Sequence, residues 1–182
     1  KQASNYLKNK KKKSEFENIA YRNIGSFYSE AVNAVRKMSD DKFKKRFLQA
    51  QLSGELVHGN YTYHNVCFSG STVFVTNFEK CRNECQISDL YQFMRKILEK
   101  YEWDIQTAYK MLDEYDKVKP VSDIDLELLG VLFSFPEKFW KIINYYYNMN
   151  KAWIPPKSVE KLKTGTSVNS RRLEFLASIG AL

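Results

Sequence analysis

Apolar side chains recur at helical spacing from Phe16 onward: Phe16, Ile19, Ala20, Ile24, Phe27, Ala31, Val35 and Met38 form one stripe. The stripe predicts a long helix that begins after Ser14, because Ser14 and Glu17 have the spacing of a capping box. Asp40 or Asp41 then caps a second helix carrying Phe43, Phe47 and Leu52, and Gly54 stops it. From Glu55 to Phe78 the period shortens. Leu56 and Val57, then Val66, Cys67 and Phe68, then Val73, Phe74 and Val75 after a Ser69-Gly70-Ser71 turn, predict short strands and a hairpin. Helical patterns return over 89–100, 104–115, 122–134, 136–150 and 171–179, with starts marked by Ser88, Asp104, Ser122 and Pro136. Pro155 and Pro156 interrupt the chain after Trp153, and the polar run 163–170 reads as an exposed loop. The predicted order is two helices, a small β insert and an antiparallel helical bundle.

Composition supports one folded domain. With 182 residues, 43% of them hydrophobic, and with 12 Tyr, 12 Phe and 3 Trp, the chain has enough aromatic area to build a core. No apolar run reaches the length of a membrane span, so membrane insertion is not expected, and the lysine-rich stretch 8–13 lacks the apolar core of a secretory signal. Residues 1–13 are expected to be a flexible basic lead and 14–182 the helical domain. The sequence starts at Lys1 rather than Met, which reads as a processed or partial stretch with any localisation signal upstream. The three cysteines, Cys67, Cys81 and Cys85, do not make a secreted disulfide framework, which favours a reducing cytosol. Together with His58 and His64 they lack the paired spacing of a zinc site. The net charge of +8 suits an acidic partner. Much of the excess sits in the lead and in Lys42, Lys44, Lys45 and Arg46, read here as one solvated helix face.

The β insert carries the chemistry. Kinase catalytic loops place a His, then two residues later an Asp that accepts the substrate hydroxyl proton, then five further on an Asn that holds magnesium. The corresponding positions here are His58, Asn60 and Asn65. A second metal-binding Asp is required just after a short hairpin, and Asn77 of Thr76-Asn77-Phe78-Glu79 stands there. One such spacing arises by chance in many proteins. The order of helices, loop, hairpin and helical remainder adds weight, because it reproduces a protein-kinase-like C-terminal lobe over 14–182, with its catalytic-loop and hairpin region at 55–80. No Gly-rich phosphate loop or partner lysine occurs, so the nucleotide-covering N-terminal lobe is absent from this stretch.

The run Phe135-Pro136-Glu137-Lys138-Phe139-Trp140-Lys141, followed by Asn144-Tyr145-Tyr146-Tyr147-Asn148 and Lys151-Ala152-Trp153, resembles CotS-type bacterial spore coat proteins. Those proteins are similar to the aminoglycoside phosphotransferase and choline kinase superfamily. Phe139, Ile142, Ile143 and Tyr146 are spaced as one helix face and read as scaffold rather than site. The resemblance implies a loop-bracing role for Asp89, a loop-structural role for His58, and vestigial magnesium positions at Asn65, Asn77 and Glu79. It also implies location in the spore coat among other coat proteins, after synthesis in the mother-cell cytoplasm, or otherwise a cytoplasmic protein. The Asn60 amide is not basic, and Asn77 removes a full charge from the metal position, which together predict a pseudokinase that needs no cofactor and acts through protein interactions. The alternative is an active small-molecule kinase using ATP and magnesium, with Glu79 supplying the missing carboxylate. A basic nucleic-acid binder ranks third.

Overall fold

A computed structural model of the chain describes residues 2–148 and 155–181. Among them the order is α1 (Gln2–Asn9), α2 (Glu15–Met38), α3 (Asp41–Leu52), β1 (Leu56–Val57), β2 (Val66–Ser69), β3 (Thr72–Val75), β4 (Arg82–Asn83), α4 (Ile87–Lys100), α5 (Ile105–Val118), α6 (Asp123–Ser134), α7 (Glu137–Asn148), α8 (Pro156–Ser167) and α9 (Asn169–Ser178). The fold is mainly α with two small antiparallel strand pairs. Strand β1 pairs with β4 through Leu56↔Asn83 and Val57↔Arg82, while β2 and β3 form a hairpin closed by Ser69↔Thr72. Gly70 takes φ 57° in the two-residue loop, a conformation glycine adopts without a Cβ penalty.

Local chemistry sets most boundaries. At the start of α2 the Glu17 N–H donates to Ser14 Oγ at 3.3 Å, and the Ser14 N–H donates to Glu17 Oε2 at 2.9 Å. Both donors of a capping box are thereby satisfied. Asp40, Asp104 and Ser122 accept the first free N–H groups of α3, α5 and α6. Ser88, expected as a cap, instead lies buried inside the first turn of α4, which begins one residue earlier without a side-chain cap.

Two hydrophobic clusters fill the interior. One joins Phe43, Met94, Leu98, Leu128, Phe133 and Phe175 from α3, α4, α6 and α9. The other joins Leu7, Phe16, Phe27, Phe139, Tyr146 and Leu162 from α1, α2, α7 and α8, with Phe27 and Phe139 stacked at 4.1 Å. Of the expected α7 face, Phe139, Ile143 and Tyr146 are buried and Ile142 is partly buried. Lys151, Ala152 and Trp153, and the last two residues of the helix expected over 136–150, lie outside the described residues.

Four expectations are corrected. Residues 2–9 of the supposed flexible lead form a helix, because Leu7 is fully buried in the second cluster with Ala3 packed one turn before it. Burying such a leucine stabilises by about 1.5–3 kcal/mol. The supposed loop 163–170 is the end of α8 and the start of α9, where Thr166 and Ser167 hydroxyls donate to carbonyls one turn back and so hide a helix behind a polar sequence. Arg46 is not part of a solvated face. It is buried, and its guanidinium donates to Asp125 at 2.7 and 3.2 Å and to Glu55 at 2.8 and 3.1 Å. On α2 the core position near the C-terminal end is Ala34, and Val35 points outward.

Candidate functional site

The loop following β1 is positioned from both ends. Upstream, Glu55 is clamped by Arg46, which holds its carboxyl below the ordinary range, and Glu55 also accepts the Gln86 N–H at the start of α4. Downstream, Asp89 on the first turn of α4 accepts two backbone N–H groups, from His58 at 2.5 Å and from Gly59 at 3.0 Å. Such bonds to an ionised acceptor are among the stronger ones in proteins. Gly59 has φ 75°, and a Cβ there would lie 2.2 Å from the Lys80 carbonyl oxygen, so the tight approach of loop to turn requires glycine.

The His58 ring is held by both nitrogens. Its Nε2–H donates to the Thr76 carbonyl at 2.8 Å, and its Nδ1 accepts the Asn60 N–H at 3.2 Å. This pairing fixes the neutral tautomer and ties the loop to the end of β3. Asn65 is buried, donates through Nδ2 to the Asn60 carbonyl at 2.8 Å and receives the Asn77 Nδ2–H on its Oδ1 at 2.7 Å. The Thr76 N–H donates to the Asn65 carbonyl at 3.0 Å. Asn77 takes φ 66°, a left-handed conformation that Asn tolerates better than most residues. His58, Asn60, Asn65, Asn77 and Asp89 are therefore one connected set. Glu79 is not: it lies exposed in the turn between β3 and β4 and makes no hydrogen bond or ion pair with the described residues.

The donor set does not suit magnesium, which prefers charged oxygens in octahedral array. The Asn65 Oδ1 that would face a cation is already engaged by the Asn77 amide. Among the described residues no three His, Cys, Asp or Glu side chains gather where they could hold a metal ion. Cys67 is exposed on β2 and Cys81 is exposed just before β4, His64 is exposed, and burial pushes the Cys85 thiol up to about 11.

Beside the loop lies an open cavity of about 810 Å³, walled mainly by His58, Tyr61, Phe78, Phe93, Met111 and Tyr115. Tyr61 stacks on Phe93 at 5.1 Å, and Phe78 lies 4.7 Å from the His58 ring. The sequence reading misses this wall. Met111 and Tyr115, one turn apart on α5, read as bundle packing, and only their closeness to the loop in space gives them another meaning.

No family model matches the chain. The fold matches that of the crystal structure of an aminoglycoside phosphotransferase from Alicyclobacillus acidocaldarius subsp. acidocaldarius DSM 446, with a TM-score of 0.89 and 20% identity. The match covers 98% of this chain and 53% of that one. The chain thus has a kinase-like fold of the phosphotransferase type. In sequence it is similar to spore coat protein S of Bacillus subtilis (strain 168), at 22% identity over 151 residues, covering 82% of this chain and 43% of that protein. The likenesses are thus to a spore coat protein in sequence and to an aminoglycoside phosphotransferase in fold. The chain spans about half the length of these relatives.

Proposed function

We propose that the chain is the kinase-like part of a spore coat protein that has lost phosphotransfer and acts through protein interactions. One observation carries the reading: Asn77 Nδ2 donates to Asn65 Oδ1 at 2.7 Å, so the two side chains at the metal positions are bonded to each other as neutral amides. Asn60, at the position of the proton acceptor, adds no base. Loss of a general base alone removes about a hundredfold to ten-thousandfold of rate. The likeness to spore coat protein S supports the coat as the site of action and other coat proteins as partners.

The test is calorimetric titration of the intact protein with ATP, with and without magnesium, beside the Asn60→Asp, Asn77→Asp double variant. The natural protein is expected to show no magnesium-dependent heat, and the double variant to gain it. Magnesium-dependent binding by the natural protein, accompanied by phosphate transfer at enzyme-like rates, would sink the reading. A second reading, ATP-dependent transfer to a hydroxyl of a small molecule, is favoured by the cavity beside His58. It requires Glu79 to supply the metal's charge, and a Glu79→Gln variant that leaves turnover unchanged would remove it.

A further inference from the structure

The outer face of α2 carries a second, largely exposed apolar stripe, with the Lys13 Nζ 4.8 Å over the ring of Tyr21 at one end. Phe16, Ala20, Phe27 and Ala34 point inward and are buried. Tyr21, Gly25, Tyr28, Val32 and Val35 point outward, and Tyr21, Tyr28, Val32 and Val35 are 45, 51, 47 and 58% exposed. Their spacing alternates between four and three residues, the repeat of a coiled-coil seam, over a helix about 36 Å long. A helix serving only its own core presents polar residues on that side.

Three further features fit this face to another helix. A Cβ built on Gly25 would meet nothing within 4 Å, so the seam has a gap at a mid-helix position where glycine is less favourable than alanine. Trp140 of α7, half exposed, stands beside the seam as the wall between two grooves of about 470 and 410 Å³. Tyr28 lines one groove and Val35 the other, and both have room for large apolar side chains. On the opposite flank Arg22 and Arg36 are exposed, and neither has an ion-pair partner among the described residues. Of the acidic residues of α2, Glu30 is turned inward to Arg172, Glu17 is buried, and Glu15, exposed on that flank at the start of the helix, is paired with Lys163.

We infer that the outer face of α2 docks an acidic amphipathic helix of a protein partner, its apolar residues in the seam and its Asp or Glu residues against Arg22 and Arg36. A second copy fits less well, because it would bring the same two arginines to the seam and the chain carries a net charge of +8. This docking face deepens the interaction reading above and rests on it, but it involves none of the residues around His58.

The experiment is fluorescence anisotropy of the intact protein with two labelled synthetic helices of about three heptads, both with Leu at the seam positions, one flanked by Glu and the other by Lys. The Glu peptide is expected to bind about tenfold more tightly than the Lys peptide, the size of effect two partly desolvated charge pairs produce. Val32→Glu should abolish binding, and Arg22→Glu with Arg36→Glu should reverse the preference, while circular dichroism confirms that these exposed changes leave the fold intact. Binding of neither peptide, equal binding of both, or binding indifferent to Val32→Glu would overturn the inference. So would a natural protein that sediments as a dimer and becomes monomeric with Val32→Glu, since the occupant would then be a second copy. Nucleotide titration reads a different face, so magnesium-dependent ATP binding with intact peptide binding would defeat only the pseudokinase reading.

Discussion

At the residue scale the loop after β1 depends on one carboxylate. Asp89 accepts the N–H groups of His58 and Gly59, and an amide in its place can accept only one of them while turning a donor toward the other. Asp89→Asn is therefore expected to destabilise the fold by about 2–3 kcal/mol in urea unfolding. Amide exchange at His58 and Gly59 should quicken well beyond that of α4, and an unchanged exchange pattern would show that the loop is held by other means. The positions that form this connected set were legible as a spacing, since His58, Asn60, Asn65 and Asn77 fall at fixed intervals around a short hairpin. Their bonding was not. That Asn77 donates to Asn65, or that the ring of His58 spans Thr76 and Asn60, follows from tertiary approach, which spacing alone does not encode. Glu79 illustrates the converse: adjacent to the set in sequence, it has no bond to it in space.

At the scale of the element, α2 shows how a cap becomes a buried charge. Glu17 is fully buried. Burial works to raise its pKa, but hydrogen bonds from Lys10 at 2.7 and 2.8 Å, from Tyr146 at 2.6 Å and from the Ser14 N–H outweigh it and hold the carboxyl down at about 2, against an ordinary 4.5. A depressed folded-state pKa contributes stability that is fully present above about pH 4.5 and is lost as the pH falls toward 2. At about 1.4 kcal/mol per pH unit, discounted for the half-exposed Lys10, the contribution is about 2–3 kcal/mol. The stability difference between the natural protein and Glu17→Gln should accordingly shrink by that amount between pH 6 and pH 2, and a constant difference would count against it. The cap itself was readable from Ser14 and Glu17. The helix α1 that delivers Lys10 was not, because eight residues with one strongly apolar position give no periodic signal until α2, α7 and α8 provide a surface to bury it. The same limit hid the junction of α8 and α9.

At the scale of the whole molecule, the two hydrophobic clusters are fastened through Arg172. From α9 its guanidinium donates to the carbonyls of Phe133 and Ser134 at 3.0 and 3.3 Å, to Asn169 Oδ1 at 3.0 Å, and to Glu30 on α2. Removing it strands the Glu30 carboxylate and two carbonyls in a poorly solvated place, so Arg172→Ala is expected to cost about 3–5 kcal/mol in chemical denaturation. Arg172→Lys should recover only part of this, since an ammonium meets Glu30 but cannot span the fork of acceptors. Full recovery by Arg172→Lys would assign the loss to charge alone, and equal stability of the two variants would assign it to the fork of acceptors. The order of elements across the molecule was visible in the sequence as changes of hydrophobic period. The fastening was not, because Arg172 and Glu30 are 142 residues apart and each reads alone as a surface charge.

The left-handed backbone at Asn77 limits what that position can become. Most side chains would pay about 1–2 kcal/mol to sit at φ 66°, whereas Gly, Asn and Asp sit there at little cost. The permitted alphabet is set by the path of the chain after β3. A carboxylate and an amide are both in that alphabet and share one shape, so charge can leave or return at this point along the same backbone path, at the cost of the bond that the Asn77 amide gives to Asn65 Oδ1.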